Sequence, residues 1–395
     1  MNLAATVEAR TPAHRDRAID GLRALALLAV PTGHWLLGGF TLTPDGAIHN
    51  ASPLSAFGGL APVSWVLQML GIFFLVGGFA SALSYARHSG PARDWLKGRL
   101  TRLGRPVLGV TAVWAVTLPL LHYGFAVPYG TLRTASTLVV QPLWFVGVYT
   151  VITALTPYCV RAARRMGVWA AAPLLGAVAV VDVLRYGPYA DAMPGWLSVL
   201  NILPGWMFAY QLGVSWAEGR VTRRHAWGLL LGGVALFAAL LLVFGYPASM
   251  VGVPGEARTN SHPPSLLVLA LAAAQSGAAI LLRERLGRLL RRPALWAPVV
   301  AINLSAMTIL CWHQTAMLAA AIPGSYGGEL TGLVGAPDSV GWVLARLAWM
   351  PLFAGLLVLI GRHARRFEAP WANTGTALRA TAGVLAAGFA VFALG

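Results

Sequence analysis

Arg23 and His34 stand eleven positions apart in the stretch DGLRALALLAVPTGHWLLGGF, and almost everything between them is apolar or small. On a helix, eleven steps of about 100° return His34 to within roughly 20° of Arg23, so one face carries both. At about 1.5 Å per residue they lie roughly 16 Å apart along the axis. A neutral imidazole titrates near physiological pH and can take the proton of an attacking hydroxyl. A guanidinium offers a planar fork of donors suited to phosphate. Both residues also have plainer readings: a snorkelling anchor for Arg23, and an imidazole bonded to a neighbouring carbonyl for His34. Pro31 removes a backbone hydrogen bond just before His34 and is expected to kink the helix there.

The elements that must position these groups are membrane spans. The chain has 395 residues, 57% hydrophobic and 11% charged, against roughly a quarter charged in soluble domains. Spans of about 20 apolar residues are expected at 20–40, 61–85, 104–124, 138–160, 167–185, 197–217, 226–246, 264–282, 295–320, 341–361 and 376–394. The expectation is an all-α, polytopic transmembrane helical bundle of about 10–11 helices, because lipid leaves open strand edges unsatisfied. The layout reads as a cytoplasmic N-terminal segment (1–19), a transmembrane domain (20–362), and a cytoplasmic loop with one additional helix (363–395). No small-residue cleavage site follows the first span, which therefore reads as a retained signal anchor.

A net charge of +16 invites a nucleic-acid reading, but the placement of charge argues against one. With the N-terminus inside, alternate loops hold 25 of the 29 Lys and Arg. External loops hold Arg133, Arg185 and Arg258, and Arg346 lies within a span. This is the positive-inside pattern. Cys159 and Cys311 both fall in apolar spans and imply packing rather than a disulfide. No internal repeat is legible. The external loops at 41–60 and 244–263 are rich in Pro, Gly, Asn and Ser. A single Lys among 29 basic residues, with heavy Ala, Gly, Arg and Val, points to a GC-rich bacterial genome and so to the plasma membrane.

The segment RDRAIDGLRALALLAVPTGHW resembles the opening helix of the acyltransferase-3 family of membrane acyltransferases. Arg17, Asp20-Gly21-Leu22-Arg23 and His34 match that family's order and spacing. Phe73–Phe79 (FFLVGGF) is similar to its F-F-x-x-S-G-F, with Gly77 where Ser is usual. Arg99 and Arg102 resemble its R-x-x-R-x-x-P element, with Arg105 in the usual proline position and Pro106 following. Leu143–Val146 (LWFV) and Cys311–Gln314 (CWHQ) look like its L-W-F-L and L-W-H-Q elements. The resemblance implies transfer of an acyl group from cytoplasmic acyl-CoA, acetyl-CoA in the simplest case, to a hydroxyl of a sugar, glycan or related acceptor. It further implies His34 as base and Arg23, Arg99 and Arg102 as ligands of the CoA phosphates, with acyl-CoA a co-substrate and no permanently bound cofactor.

Helical rise places three further polar groups in the outer half of the membrane with His34: Arg346, Asp182 and His313. Trp144 reads as packing or an interface aromatic, or as a stacking platform for a sugar ring. Arg346 and Asp182 are expected to neutralise each other as an ion pair; the alternative is that Arg346 holds the acceptor or an oxyanion. His313 is open to a second proton-carrying role or to packing beside Trp312. No G-x-S-x-G elbow, phosphate loop or H-E-x-x-H zinc motif is present, and no metal is expected. Two functional classes stand: a membrane O-acyltransferase, and a transporter or flippase of an acylated lipid or glycan.

Overall fold

The structure, a computed structural model, describes residues 3–187, 192, 194–256, 258–368 and 376–394. Among these the regular structure is helical apart from one two-stranded hairpin, an all-α polytopic bundle. Among the described residues, eight helices are long and apolar enough to cross a membrane, so this is a multi-pass membrane protein. The expected span at 295–320 is two helices, Pro293–Leu304 and Ala306–Gly324, broken at Ser305. The first helix, Arg17–Leu37, has the length of a span at 21 residues. Asp20, Arg23 and His34 lower its hydropathy, and it is not among the eight. The last, Thr376–Leu394, carries only a shorter apolar stretch, Arg379–Ala393. Those three account for the difference from eleven. The expected loops at 186–196 and before the last helix fall partly outside the described residues.

Several expected boundaries move, two of them around the middle of the chain. The segment 125–137, expected as an external loop, is helical from Tyr129 onward, in a helix running to Val140. The expected span 138–160 instead ends at Ala154, with a break at Leu155 before Thr156–Met166. Pro157 fits the start of that second helix, where its missing N–H has no intrahelical partner to lose.

The chain divides into two compact units. The first comprises 1–30, 61–96 and 148–304. Its core is built from Leu75, Val76, Phe79, Phe208, Leu212 and Leu269. In lipid, apolar side chains gain little by leaving their surroundings, so association rests on close van der Waals packing at small residues. Gly78 and Gly213 do this between Leu70–Ala86 and Ile202–Ala217: a side chain on either would strike the backbone carbonyl of Tyr210 or Leu75. Gly233 and Gly277 repeat the arrangement between Arg223–Leu242 and Leu266–Leu289. A backbone obstacle cannot rotate aside, so Gly213→Leu would force these helices apart.

The second unit comprises 31–60, 97–147 and 305–395. The chain enters it at Pro31, within the Arg17–Leu37 helix, whose turns continue past the proline. In the loop expected at 41–60, strands Gly39–Leu42 and Ile48–Ala51 pair antiparallel, Gly39 opposite Ala51. Thr43-Pro44-Asp45-Gly46 makes the turn. Proline presets its first corner, and Gly46 takes φ +76°, where a side chain would be strained. The hairpin is tied to the Tyr129–Val140 helix: Ile48 N donates to Thr131 Oγ1 at 2.9 Å, and Thr134 Oγ1 donates to Ile48 O at 2.8 Å. Trp35, Phe40, Trp114, Leu132, Trp312 and Phe353 fill this unit's core.

Candidate active site

His34 sits on the last turn of the Arg17–Leu37 helix, half-buried. Gln314 Nε2 meets its Nδ1 at 2.6 Å. The His313 ring lies edge-on to it, with centroids 5.0 Å apart and planes at 87°. Gln314 and His313 are neighbours on Ala306–Gly324 and both are buried. That helix is aligned locally by Trp35, next to His34, whose Nε1 donates to His313 O at 3.0 Å, and by Trp114, whose Nε1 donates to Thr315 Oγ1 at 3.0 Å. The sequence elements containing His34 and Cys311–Gln314 thus meet.

The tautomers follow from the hydrogen bonds. His313 Nδ1 lies 3.0 Å from both Ile309 O and Leu310 O, and a carbonyl can only accept, so this nitrogen carries the proton. The lone pair is then on Nε2, which is buried and has no hydrogen-bond partner among the described residues. At His34 the amide decides. With Gln314 Nε2 donating to Nδ1, the imidazole proton rests on Nε2 and the ring is a donor there. A half-turn of the amide exchanges its nitrogen and oxygen; Nδ1–H then donates to Oε1, and Nε2 becomes the base. As placed, Gln314 Oε1 is buried without a hydrogen-bond partner, and the half-turn supplies one.

Arg346, on Val340–Glu368, is fully buried in the same unit. Its Nη2 donates to Gly38 O, just past the end of the His34 helix, and lies 3.8 Å from Met317 Sδ. The guanidinium sits 5.0 Å from the centroid of the Trp342 ring and 5.3 Å from that of Phe353. Its Nε and Nη1 are buried without partners. A guanidinium between two rings gains cation–π attraction, yet two donors are left for something else.

The other sequence candidates lie elsewhere. Asp182 belongs to the first unit, where four donors occupy its two oxygens: Asn201 Nδ2 at 2.8 Å, Arg185 Nη1 at 3.3 Å, Tyr246 OH at 3.1 Å and Leu266 N at 2.6 Å. The ion pair expected with Arg346 is replaced by one with Arg185, three residues along the same helix, where side chains meet by geometry alone. The bond from Leu266 N lets the carboxylate cap the start of Leu266–Leu289, where anions are favoured. Burial and the Asp182 carboxylate hold the Tyr246 phenol well above its ordinary pKa, so it stays a donor.

Arg23, also in the first unit, is partly buried and 3.5 Å from Asp20 Oδ1; Asp20 is shared with Arg15. Arg17 is committed to Glu8 and to Leu290 O. Arg99 and Arg102 belong to the long helix Ala92–Pro119, which begins well before the expected start near 104 and puts them one turn apart on one side. Trp144 opens Trp144–Ala154 and stands edge-on to Phe145 at 6.2 Å. Gly77, which stands where the resembling element has Ser, faces Tyr149: a side chain there would meet the tyrosine ring and hydroxyl.

These features define a multi-pass helical membrane protein with a cluster of under-bonded polar side chains in one unit. The family model described as an acyltransferase domain, acyltransferase-3, matches residues 16–360, and the chain belongs to that family of acyltransferases. No curated protein and no solved structure matches it. Sequence reading missed the role open to Gln314. It lies in the quoted CWHQ element, but a neutral amide carries no charge or titration signal to mark it.

Proposed function

We propose that the protein is an O-acyltransferase that uses acyl-CoA, acetyl-CoA in the simplest case, to acylate a hydroxyl of a sugar, glycan or related acceptor. His34 is its general base. The observation that carries the reading is the 2.6 Å contact between His34 Nδ1 and the buried Gln314 amide, which can set the tautomer a base requires. His34 Nε2 takes the hydroxyl proton as the acceptor oxygen attacks the thioester carbonyl. The tetrahedral intermediate then expels the CoA sulfur, which receives that proton, leaving an ester and free thiol. The unpartnered Nε and Nη1 of Arg346 suit the acceptor or the oxyanion, and His313 Nε2 suits a donor from the acceptor.

Arg23, Arg99 and Arg102 bind the CoA phosphates in this reading, which rests on their motif positions and on the chemistry of guanidinium with phosphate. The arginine distribution supports a cytoplasmic N-terminus, and composition supports a bacterial plasma membrane. The test is thiol release from acetyl-CoA by purified protein supplied with hydroxyl acceptors. Enzyme action predicts protein-dependent thiol and an acylated acceptor detectable by mass. A transporter or flippase produces neither.

A further inference from the structure

We propose that a basic cavity in the first unit, walled by the N-terminal segment, binds a phosphate-bearing anion independently of acyl transfer. The cavity has a volume of about 1010 Å³ and lies between residues 8–18 and the end of the Leu266–Leu289 helix. Six arginines line it against three carboxylates.

The pairing inside the cavity divides these arginines into two groups. Arg17 is held by Glu8 at 2.6 Å, Arg283 by Asp16 at 2.6 Å, and Arg15 by Asp20 at 2.5 Å. Arg223, Arg288 and Arg291 have no ion-pair partner among the described residues. The remaining carboxylate of the lining, Glu284, is exposed and likewise unpaired, which leaves the excess positive. Positive-inside placement accounts for the number of arginines at such span ends. It does not account for the ties that hold the N-terminal segment over this face, leaving Arg223, Arg288 and Arg291 exposed at the rim of an open cleft.

The wall is built by specific ties. Trp296 Nε1 donates to Thr11 Oγ1 at 2.7 Å, and Arg17 Nη1 donates to Leu290 O at 3.0 Å while its guanidinium sits 5.0 Å from the centroid of the Trp296 ring. Asp16 accepts from Ala18 N and Ile19 N at 3.1 and 3.2 Å, starting the Arg17–Leu37 helix, and its other oxygen takes Arg283. The paired arginines are therefore fastenings, and the three unpaired ones are available to a ligand. Hydrogen bonding to Arg17 holds the Glu8 carboxyl below its ordinary pKa, so this fastening stays ionised at neutral pH.

Three guanidiniums around a space of ligand size suit phosphate oxygens, which accept paired N–H groups. Arg288 lies in the last turn of one span, Arg291 just beyond it, and Arg223 at the first residue of another. Span ends sit at the level of lipid headgroups, so the same chemistry can come from an anionic lipid or from a soluble phosphate.

The test uses the full chain in phosphatidylcholine nanodiscs. Pyrophosphate binding is measured by calorimetry, and the thermal midpoint is compared with and without 30% phosphatidylglycerol. Wild type is set against Arg223→Gln/Arg288→Gln/Arg291→Gln, and against the charge-matched control Arg224→Gln/Arg285→Gln/Arg292→Gln, whose residues do not line the cavity. We expect the cavity variant to lose at least about tenfold in pyrophosphate affinity, or to lose the lipid-dependent rise in midpoint, while the control keeps both. Loss confined to pyrophosphate assigns a soluble ligand; loss confined to the lipid effect assigns a headgroup. Equal loss in the control, or no response of wild type to either probe, overturns the proposal. Both variants keep Arg23, Arg99 and Arg102, none of which lines the cavity, so pyrophosphate held at those three would be equal in both and the outcome is separate from that of the catalytic reading.

Discussion

Asp182 in the first unit and the His34–His313–Gln314–Arg346 group in the second are both polar clusters set among apolar helices, and their bonding differs. Asp182 is 1% exposed and receives four donors. In the second cluster His313 Nε2, one end of the Gln314 amide in either of its orientations, and Arg346 Nε and Nη1 are buried without partners among the described residues. A buried polar atom left unmet costs about 1–3 kcal/mol. The first unit has such atoms too, Tyr186 OH and Asn201 Oδ1 near Asp182 among them. There the ionisable carboxylate itself is fully bonded, whereas in the second cluster unmet atoms lie on the guanidinium and the imidazole themselves. A carboxylate saturated in this way marks a structural joint. In the proposed reading, the under-bonded guanidinium and imidazole are where a substrate completes the hydrogen bonding.

The comparison fails first if His34 is dispensable. His34→Ala is expected to reduce turnover per inserted molecule by about 10²–10⁴-fold, the scale of positioned acid–base catalysis, with little change in thermal midpoint. Steady-state rates and a melting curve on one preparation check both halves. Asp182→Ala should behave in the opposite way. It strands four donors, uncaps Leu266–Leu289 and removes one side of a buried ion pair, a loss of about 3–5 kcal/mol. Turnover of the fraction that remains folded should be unchanged; a fall in that specific turnover would move Asp182 into the catalytic group.

Arg102 sharpens the account on the donor side. If it holds a CoA phosphate in ground and transition states alike, Arg102→Ala raises the KM for acyl-CoA about 10- to 150-fold and leaves the acceptor's KM alone. Arg102→Lys restores only part, having lost the bidentate fork. Full rescue by lysine would assign the residue to topology. The smallest expected effect is Tyr246→Phe, which removes one of Asp182's four donors at 3.1 Å. A cost of about 1 kcal/mol in unfolding free energy, with activity intact, fits a joint that still has three donors.

Much of this architecture was legible in the sequence. The length of the first helix and the place of His34 on it followed from the apolar run, and Thr43-Pro44-Asp45-Gly46 carries its turn in its residue types. The breaks were not legible. Leu155 and Ser305 interrupt long apolar stretches that read as continuous, because hydropathy registers composition and not where a helix ends. Pro298 lies inside Pro293–Leu304 and is not the break. The Asp182 partner was misassigned because height along a helix was weighed across the bundle, while Arg185 lay one turn away on the same helix. Gln314 escaped notice because its contribution depends on which side chain it meets, a matter of tertiary packing.

The central claim is that the Gln314 amide acts through His34, and a double-mutant cycle on turnover tests it most directly. Gln314→Ala should lower turnover about 10- to 100-fold when His34 is present, an effect of about 1.4–2.7 kcal/mol. In the His34→Ala background, where the amide has no imidazole to orient, the same substitution should cost almost nothing further. The same fold-loss in both backgrounds, or no loss in either, would contradict the account.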